Sequence, residues 1–227
     1  MKQAFPTSKI IASEALQCPT LLDYGFGSHR IEGIGDKHVP WIHNVKNTDF
    51  VVAIDDNAVV NIMRLFNEPE GRKFLAKKGV PEAIVSQLDL LGFSGIANTL
   101  SAIKFAKYYE LGENDVVLTV LTDSMQLYGS RIEEMRKQMG EFKETDAAAV
   151  YAQYLQGVTS DNLLELTYES RKRVHNLKYY TWVEQQGKTY AEIQDQWYAP
   201  DYWTDVQDQV EEIDDLITEF NGKVGLS

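Results

Sequence analysis

Residues 50–66 read FVVAIDDNAVVNIMRLF, and the fold follows from them. The first five are apolar without alternation, which suits a strand buried on both faces, as in a parallel sheet covered by helices. Two aspartates follow, and Asp56 can cap a helix by accepting from the unpaired N–H groups of its first turn. Val59, Val60, Met63 and Phe66 then recur at helical spacing, so strand is expected to pass directly into helix. Two further apolar runs, residues 10–12 (IIA) and 116–121 (VVLTVL), share the β-branched character of the first. After Ser94 a second helix is carried by Ile96, Leu100 and Ile103. Strand and helix in alternation predict the α/β class, here a partial, open, mainly parallel twisted sheet flanked by helices.

Beyond residue 129 only helical patterns occur, so an all-helical tail is expected. The clearest spans residues 206–220, where Val206, Val210, Ile213, Ile217 and Phe220 form one face opposite Glu211, Glu212, Asp215 and Glu219. Composition shifts near residue 140. Residues 151–227 carry 14 acidic and 6 basic side chains, together with 8 of the 12 tyrosines and 3 of the 4 tryptophans. So many large rings indicate a part that folds or docks, and not a disordered acidic tail. The division expected is residues 1–140 as the α/β part and 141–227 as an acidic, aromatic-rich helical extension.

The whole chain has 227 residues and a net charge of −12, with 44% hydrophobic residues. That is enough chain for one large domain or two small ones, and the composition is that of a folded protein. The acidity argues against nucleic acid as a partner, since a phosphate backbone would be repelled. One cysteine, Cys18, permits no internal disulfide, and no apolar run reaches the roughly 18 residues that suggest a membrane span. Residues 1–6 lack the pattern of a signal peptide. The expected location is the cytoplasm, with no membrane partner.

Several side chains could carry chemistry. Gly25, Gly27, Gly33 and Gly35 lie close together, where backbone could approach a planar or phosphorylated ligand. They lack the strand, G-x-G-x-x-G, helix order of a dinucleotide site and could equally make turns. His29, His38 and His43, with Asp36 and Asp49, offer mixed metal ligands, but no pair has the i, i+4 spacing of a helical motif, so no metal is expected. Arg171, Lys172, Arg173 and His175 form the one basic cluster, expected as a solvated helix face neutralised by Glu165 and Glu169. Cys18 reads as a small packed side chain. Asp123 and Ser124 directly follow the run 116–121, and in open α/β sheets ligands bind at the carboxyl ends of strands. The same two residue types also make ordinary turns and caps.

Taken in order, these stretches resemble the second half of fold-type-II pyridoxal-phosphate enzymes, the cysteine synthase, cystathionine β-synthase and tryptophan synthase β family. Residues 10–19 (IIASEALQCP) look like the family strand that ends in an acidic residue. Residues 29–40 (HRIEGIGDKHVP) are similar to its H-K-I-x-G-I-G…P stretch. Residues 92–97 (GFSGIA) resemble the G-I-S-S-G-A helix start, and residues 121–130 (LTDSMQLYGS) resemble L-P-D-S-G-E-R-Y-L-S. The resemblance covers roughly residues 8–135.

The resemblance implies that Ser124 binds the pyridine nitrogen of pyridoxal 5'-phosphate, and that Gly33 and Gly35 let backbone approach cofactor and substrate. A hydroxyl does not hold that nitrogen protonated, which suits β-elimination and β-replacement on an amino acid. The sequence departs from the pattern at Thr122, Met125 and Leu127, which replace proline, glycine and arginine, and residues 71–91 form a longer connection. No T-G-S-x-K-like segment or G-G-T-G-T run occurs, so the Schiff-base lysine and phosphate loop of the family are absent, and no catalytic residue is assigned. The expectation is the carboxyl-terminal part of such a lyase or transferase, inactive alone and completed by an amino-terminal half in the same or another chain. It is also expected to form homo-oligomers. The other reading is a non-catalytic binding or assembly module derived from that fold.

Overall fold

The computed structural model describes Lys2 and residues 4–226; Met1 and Gln3, within the stretch 1–6 tested for a signal, and Ser227 lie outside the described residues. The chain forms two compact units. The first comprises the residues up to Lys37 together with Thr48–Thr167, and the second His38–Asn47 together with the residues from Tyr168. The composition shift near residue 140 therefore lies inside the first unit.

The first unit is α/β. Its sheet has the order β1 (Ile11–Ala15), β2 (Phe50–Ile54), β3 (Leu163–Glu165). β1 and β2 run parallel, with Ile11 opposite Phe50 and Ala15 opposite Ile54. β3 is antiparallel to β2, with Phe50 opposite Glu165. All five side chains of β2 are buried, as the unbroken apolar run requires. α1 (Asp56–Asn67) and α3 (Phe93–Tyr108), separated by α2 (Pro69–Lys77), pack their apolar residues into the same core. Val59, Ile62, Met63 and Leu65 come from α1, and Ile96, Ala97 and Leu100 from α3.

Four expectations about the first unit and the tail's strand content are corrected. Asp55, not Asp56, caps α1, accepting from Asn57 N at 2.9 Å. Asp56 instead receives Arg30, with Nη2 2.8 Å from Oδ1, an ion pair that holds its carboxyl below the usual range against its own desolvation. Residues 116–121 are not a strand: Val116 is 91% and Leu118 77% exposed. A strand needs a neighbour to complete its hydrogen bonds, and none of the described residues pairs with this run. The sheet is consequently mixed, with one parallel and one antiparallel pair, and not mainly parallel. The tail is not all helical, because β3 arises within it and covers the edge of β2.

Two more helices, α4 (Gly129–Met139) and α5 (Glu144–Tyr151), complete the first unit's frame. A buried ion network ties α4 to the corner between α1 and α2. The Glu68 carboxylate accepts from Arg64 Nε and Nη2 at 3.3 Å, and from Arg136 Nε and Nη2 at 2.9 and 2.7 Å. Arg64 also donates to Gly140 O at 2.7 Å. Side chains of Arg64 and Glu68 are only 3% and 4% exposed, so these bonds replace water almost completely.

The second unit contains α6 (Tyr168–Asn176), α7 (Tyr190–Tyr198), α8 (Tyr202–Asp208) and α9 (Val210–Val224). Around the segment His38–Asn47 it is held by polar anchors. Lys178, fully buried, donates to Trp41 O and His43 O, both at 2.8 Å, and to Gln196 Oε1 at 2.7 Å. The three N–H groups of its amine thus each find an acceptor, although burial pushes its pKa down to about 7. Trp182 Nε1 donates to Val39 O at 2.8 Å, and Lys46 Nζ to Trp197 O at 3.0 Å. The basic cluster on α6 is not a solvated face. His175 is buried with Nε2 3.0 Å from Ile193 O, and Lys172 Nζ lies 4.5 Å from the Trp197 ring centre. Trp197 and Tyr198 of α7 lie against Lys172, giving this cation a π surface in place of water.

Candidate functional site

The site expected from the sequence gathers at the amino-terminal end of α3. Gly92 N donates to Asp123 O at 3.2 Å, joining the helix start to the loop after residues 116–121. Ser94 Oγ lies 2.8 Å from Thr122 Oγ1 and donates to Asp123 Oδ1 at 3.0 Å. The Tyr128 phenol donates to Asp123 Oδ2, and burial, reinforced by this carboxylate, pushes its pKa up to about 12. Both carboxylate oxygens of Asp123 are thereby engaged within the chain. Ser124 differs: it is half-buried, extended at φ −127° and ψ 168°, and its hydroxyl makes no hydrogen bond among the described residues.

Gly33 belongs to this cluster and Gly35 does not. Gly33 has a φ of +79°, and a Cβ there would stand 3.7 Å from Ser94 Oγ and 3.9 Å from Asp123 Oδ2. The left-handed backbone, which disfavours side chains, brings the segment against the loop of Asp123 and Ser124. Gly35, at φ +70°, lies over the end of β1, where its Cβ would be 3.7 Å from Glu14 Cβ. Glu14 is the acidic residue near the strand end, and it is an anchor: its carboxylate accepts from Leu21 N and Leu22 N at 2.9 Å, while burial raises its pKa.

Sequence reasoning named Asp123 and Ser124 together but missed that Ser94 and Tyr128 bind the first and leave the second unengaged. Gly92 was the available signal. Its φ of −75° suits any residue, yet a Cβ there would overlap the Asp123 carboxylate, so the close approach itself demands glycine. Gly92→Ala is expected to displace Asp123 from Ser94 and Tyr128 and cost about 1–2 kcal/mol. A thermal melt should show a midpoint lowered by roughly 2–8 °C, whereas an unchanged midpoint would mean that the loop yields without penalty.

His29, Arg30 and Glu32 line a cleft of about 560 Å³ with Phe93, Arg131 and Glu134. Its charges neutralise one another, since Arg131 pairs with Glu32 and, at 2.7 Å, with Glu134. Among the described residues no group of three or more histidine, cysteine, aspartate or glutamate side chains is placed to hold a metal ion. Cys18 is buried, its Sγ 3.8 Å from Thr20 Oγ1. No helix among the described residues is long and apolar enough to cross a membrane.

Part of the sequence is similar to known proteins. No family model matches the chain. Cysteine synthase B of Campylobacter jejuni is 28% identical over 128 residues, which are 56% of this chain and 36% of that protein. A cysteine synthase of Staphylococcus aureus is 26% identical over the same length, covering 35% of its own chain. The matched stretch thus spans about a third of the curated relatives' length. A solved hydrogen sulfide-producing enzyme from Fusobacterium nucleatum superposes with a TM-score of 0.43 at 24% identity, over 73% of this chain and 42% of that one. Over that stretch the chain is similar to cysteine synthases, members of the class whose motifs the sequence resembles.

Proposed function

We propose that this chain is the carboxyl-terminal part of a cytoplasmic pyridoxal-phosphate-dependent lyase or transferase that acts on an amino acid by β-elimination or β-replacement. The observation that carries the reading is the Ser124 hydroxyl, half-buried and without a hydrogen bond among the described residues, next to a carboxylate whose own bonds are complete. Such a hydroxyl suits an aromatic ring nitrogen, and Gly33 supplies backbone without a side chain beside the same loop. The residues present therefore fit one edge of the cofactor. When bound, pyridoxal 5'-phosphate supplies the electron sink for bond cleavage at the amino acid.

Within this chain Asp123, Ser94 and Tyr128 act as the frame. Their mutual hydrogen bonds fix the loop, so Ser124 is held ready with little freedom left to lose on binding. The 227 residues hold neither the lysine segment nor the phosphate loop of the family pattern. In this reading they bind no cofactor and turn over no amino acid by themselves, and an amino-terminal half completes the site.

The test mixes the chain with an amino-terminal half taken from a cysteine synthase relative, adds pyridoxal 5'-phosphate and records the visible spectrum. Protein-bound cofactor absorbance is expected only in the mixture, and Ser124→Ala should shift its band and slow turnover. Two folded halves that associate without acquiring any cofactor band would refute the reading, and an unchanged band in Ser124→Ala would remove that residue from the site.

A further inference from the structure

The last two helices leave an apolar seam uncovered. α8 and α9 are separated by a single turn residue, Gln209, whose angles (φ −71°, ψ −11°) stay in the right-handed region. Val206, Val210, Ile213, Ile217, Phe220 and Val224 follow at alternating spacings of four and three. That is the a and d pattern of a heptad, a periodicity narrower than the stripe of a helix lying on a globular core. These six side chains are 41–61% exposed, and no residue of α8 or α9 is buried. A helix of this length is marginal in water when no tertiary packing supports it. Its seam needs a cover.

The charges indicate what covers it. Glu211, Glu212, Asp215 and Glu219 occupy the outer b, c and f positions. Of the positions flanking the seam within α9, only Asp214 and Lys223 are charged. In a parallel pairing of identical helices the g position of one meets the following e position of the other. Gln209 then faces Asp214 and Leu216 faces Asn221, so no like charges meet. An antiparallel pairing centred on the seam sets Asp214 against its own copy, a repulsive contact. Val210, Ile217 and Val224 place β-branched side chains at every a position of α9, which packs well in parallel coils. Val206 and Ile213 do the same at d, which adds a preference for more than two strands.

We infer that copies of this chain associate with one another in parallel through the α8–α9 seam. The inference is independent of the cofactor reading, because it uses none of the site residues. Light scattering on the complete 227-residue chain is expected to give at least twice its mass of 25.8 kDa. Ile213→Glu with Ile217→Glu should return it to the single-chain mass. Both positions are exposed, so the rest of the fold should keep its circular-dichroism melt. Orientation is read with Val224→Cys, which should cross-link to its own copy on oxidation. In an antiparallel pair its counterpart would lie about 27 Å away, the rise of the residues down to Val206, and no link would form. A monomeric unaltered chain would overturn the inference, as would a double variant that keeps its assembled mass or a Val224→Cys chain that fails to cross-link. Assembly that survives the double variant would belong to another surface, such as the free edge of β1.

Discussion

Glu68→Ala is expected to destabilise the first unit by about 3–5 kcal/mol, the range for removing one member of a buried ion pair. The effect comes from what stays behind. Arg64 is 3% exposed and would retain only Gly140 O as an acceptor, leaving a desolvated guanidinium without its counter-charge. Arg136 would lose the same carboxylate but is 48% exposed, so water replaces most of what it gives up. Urea unfolding followed by far-UV ellipticity measures the loss. A paired replacement, Arg64→Met with Glu68→Leu, should recover most of it, since an apolar pair carries no desolvated charge. A midpoint for Glu68→Ala within error of the unaltered chain would mean that Arg64 finds water or another acceptor, contrary to its burial.

The second large effect is acid loosening of the helical unit. Burial, reinforced by Lys178, Lys172 and Lys46 but opposed by the bond to Ile193 O, lowers the His175 pKa from 6.5 to about 4. His43 is likewise lowered to about 4 by burial and by Lys178. A folded pKa below the unfolded one means that between these values the unfolded chain takes up the proton and the folded chain does not. The contribution is complete above about pH 6.5 and is lost as pH falls through about 4. For His175 it is on the order of 3 kcal/mol. Lys178 acts at the other end. Its folded pKa near 7 against 10.5 unfolded makes stability rise from about pH 7 towards pH 10, with no further change below 7. All four tryptophans, Trp41, Trp182, Trp197 and Trp203, lie in this unit, so their emission reports on it alone. Unfolding midpoints read by that emission should fall between pH 6.5 and 5, before most carboxylates titrate. His175→Gln keeps a donor for Ile193 O without the titration and should flatten the slope; an equally steep slope would exclude His175 as its source.

What the sequence reveals about this protein divides along the range of the interactions. β2 and α1 were legible because a local apolar pattern and a capping aspartate determine them, and the error of one residue at the cap came from Arg30 claiming Asp56. Residues 116–121 have strand composition, but strand formation depends on a partner elsewhere in the fold. β3 is three residues long, too short to show an alternation, so its pairing with β2 could not be read although Ser160, Asp161 and Asn162 mark a turn before it. The burial of Lys172 on α6 depends on rings of α7, distant in sequence. Of the residues the motifs suggest, Gly33 lies beside the loop of Asp123 and Ser124, and the glycines mark where backbone comes close. The division of labour between Asp123 and Ser124 was hidden, because it rests on Ser94 and Tyr128 arriving from separate helices and turns.

The segment His38–Asn47 gives the helical unit an unusual genealogy. That unit is discontinuous in the chain: it borrows ten residues from within the α/β part, immediately after Lys37, and anchors them through Lys178 and Trp182. Removing it as a single terminal cassette would leave those ten residues without the groups that anchor them. A protein cut at residue 167 keeps the borrowed loop but loses every anchor, stranding Val39 and Val45, which are 1% exposed in the intact chain. Any descendant that discards the tail must therefore rewrite this loop as well, and a swap of the tail between relatives succeeds only when the loop travels with it.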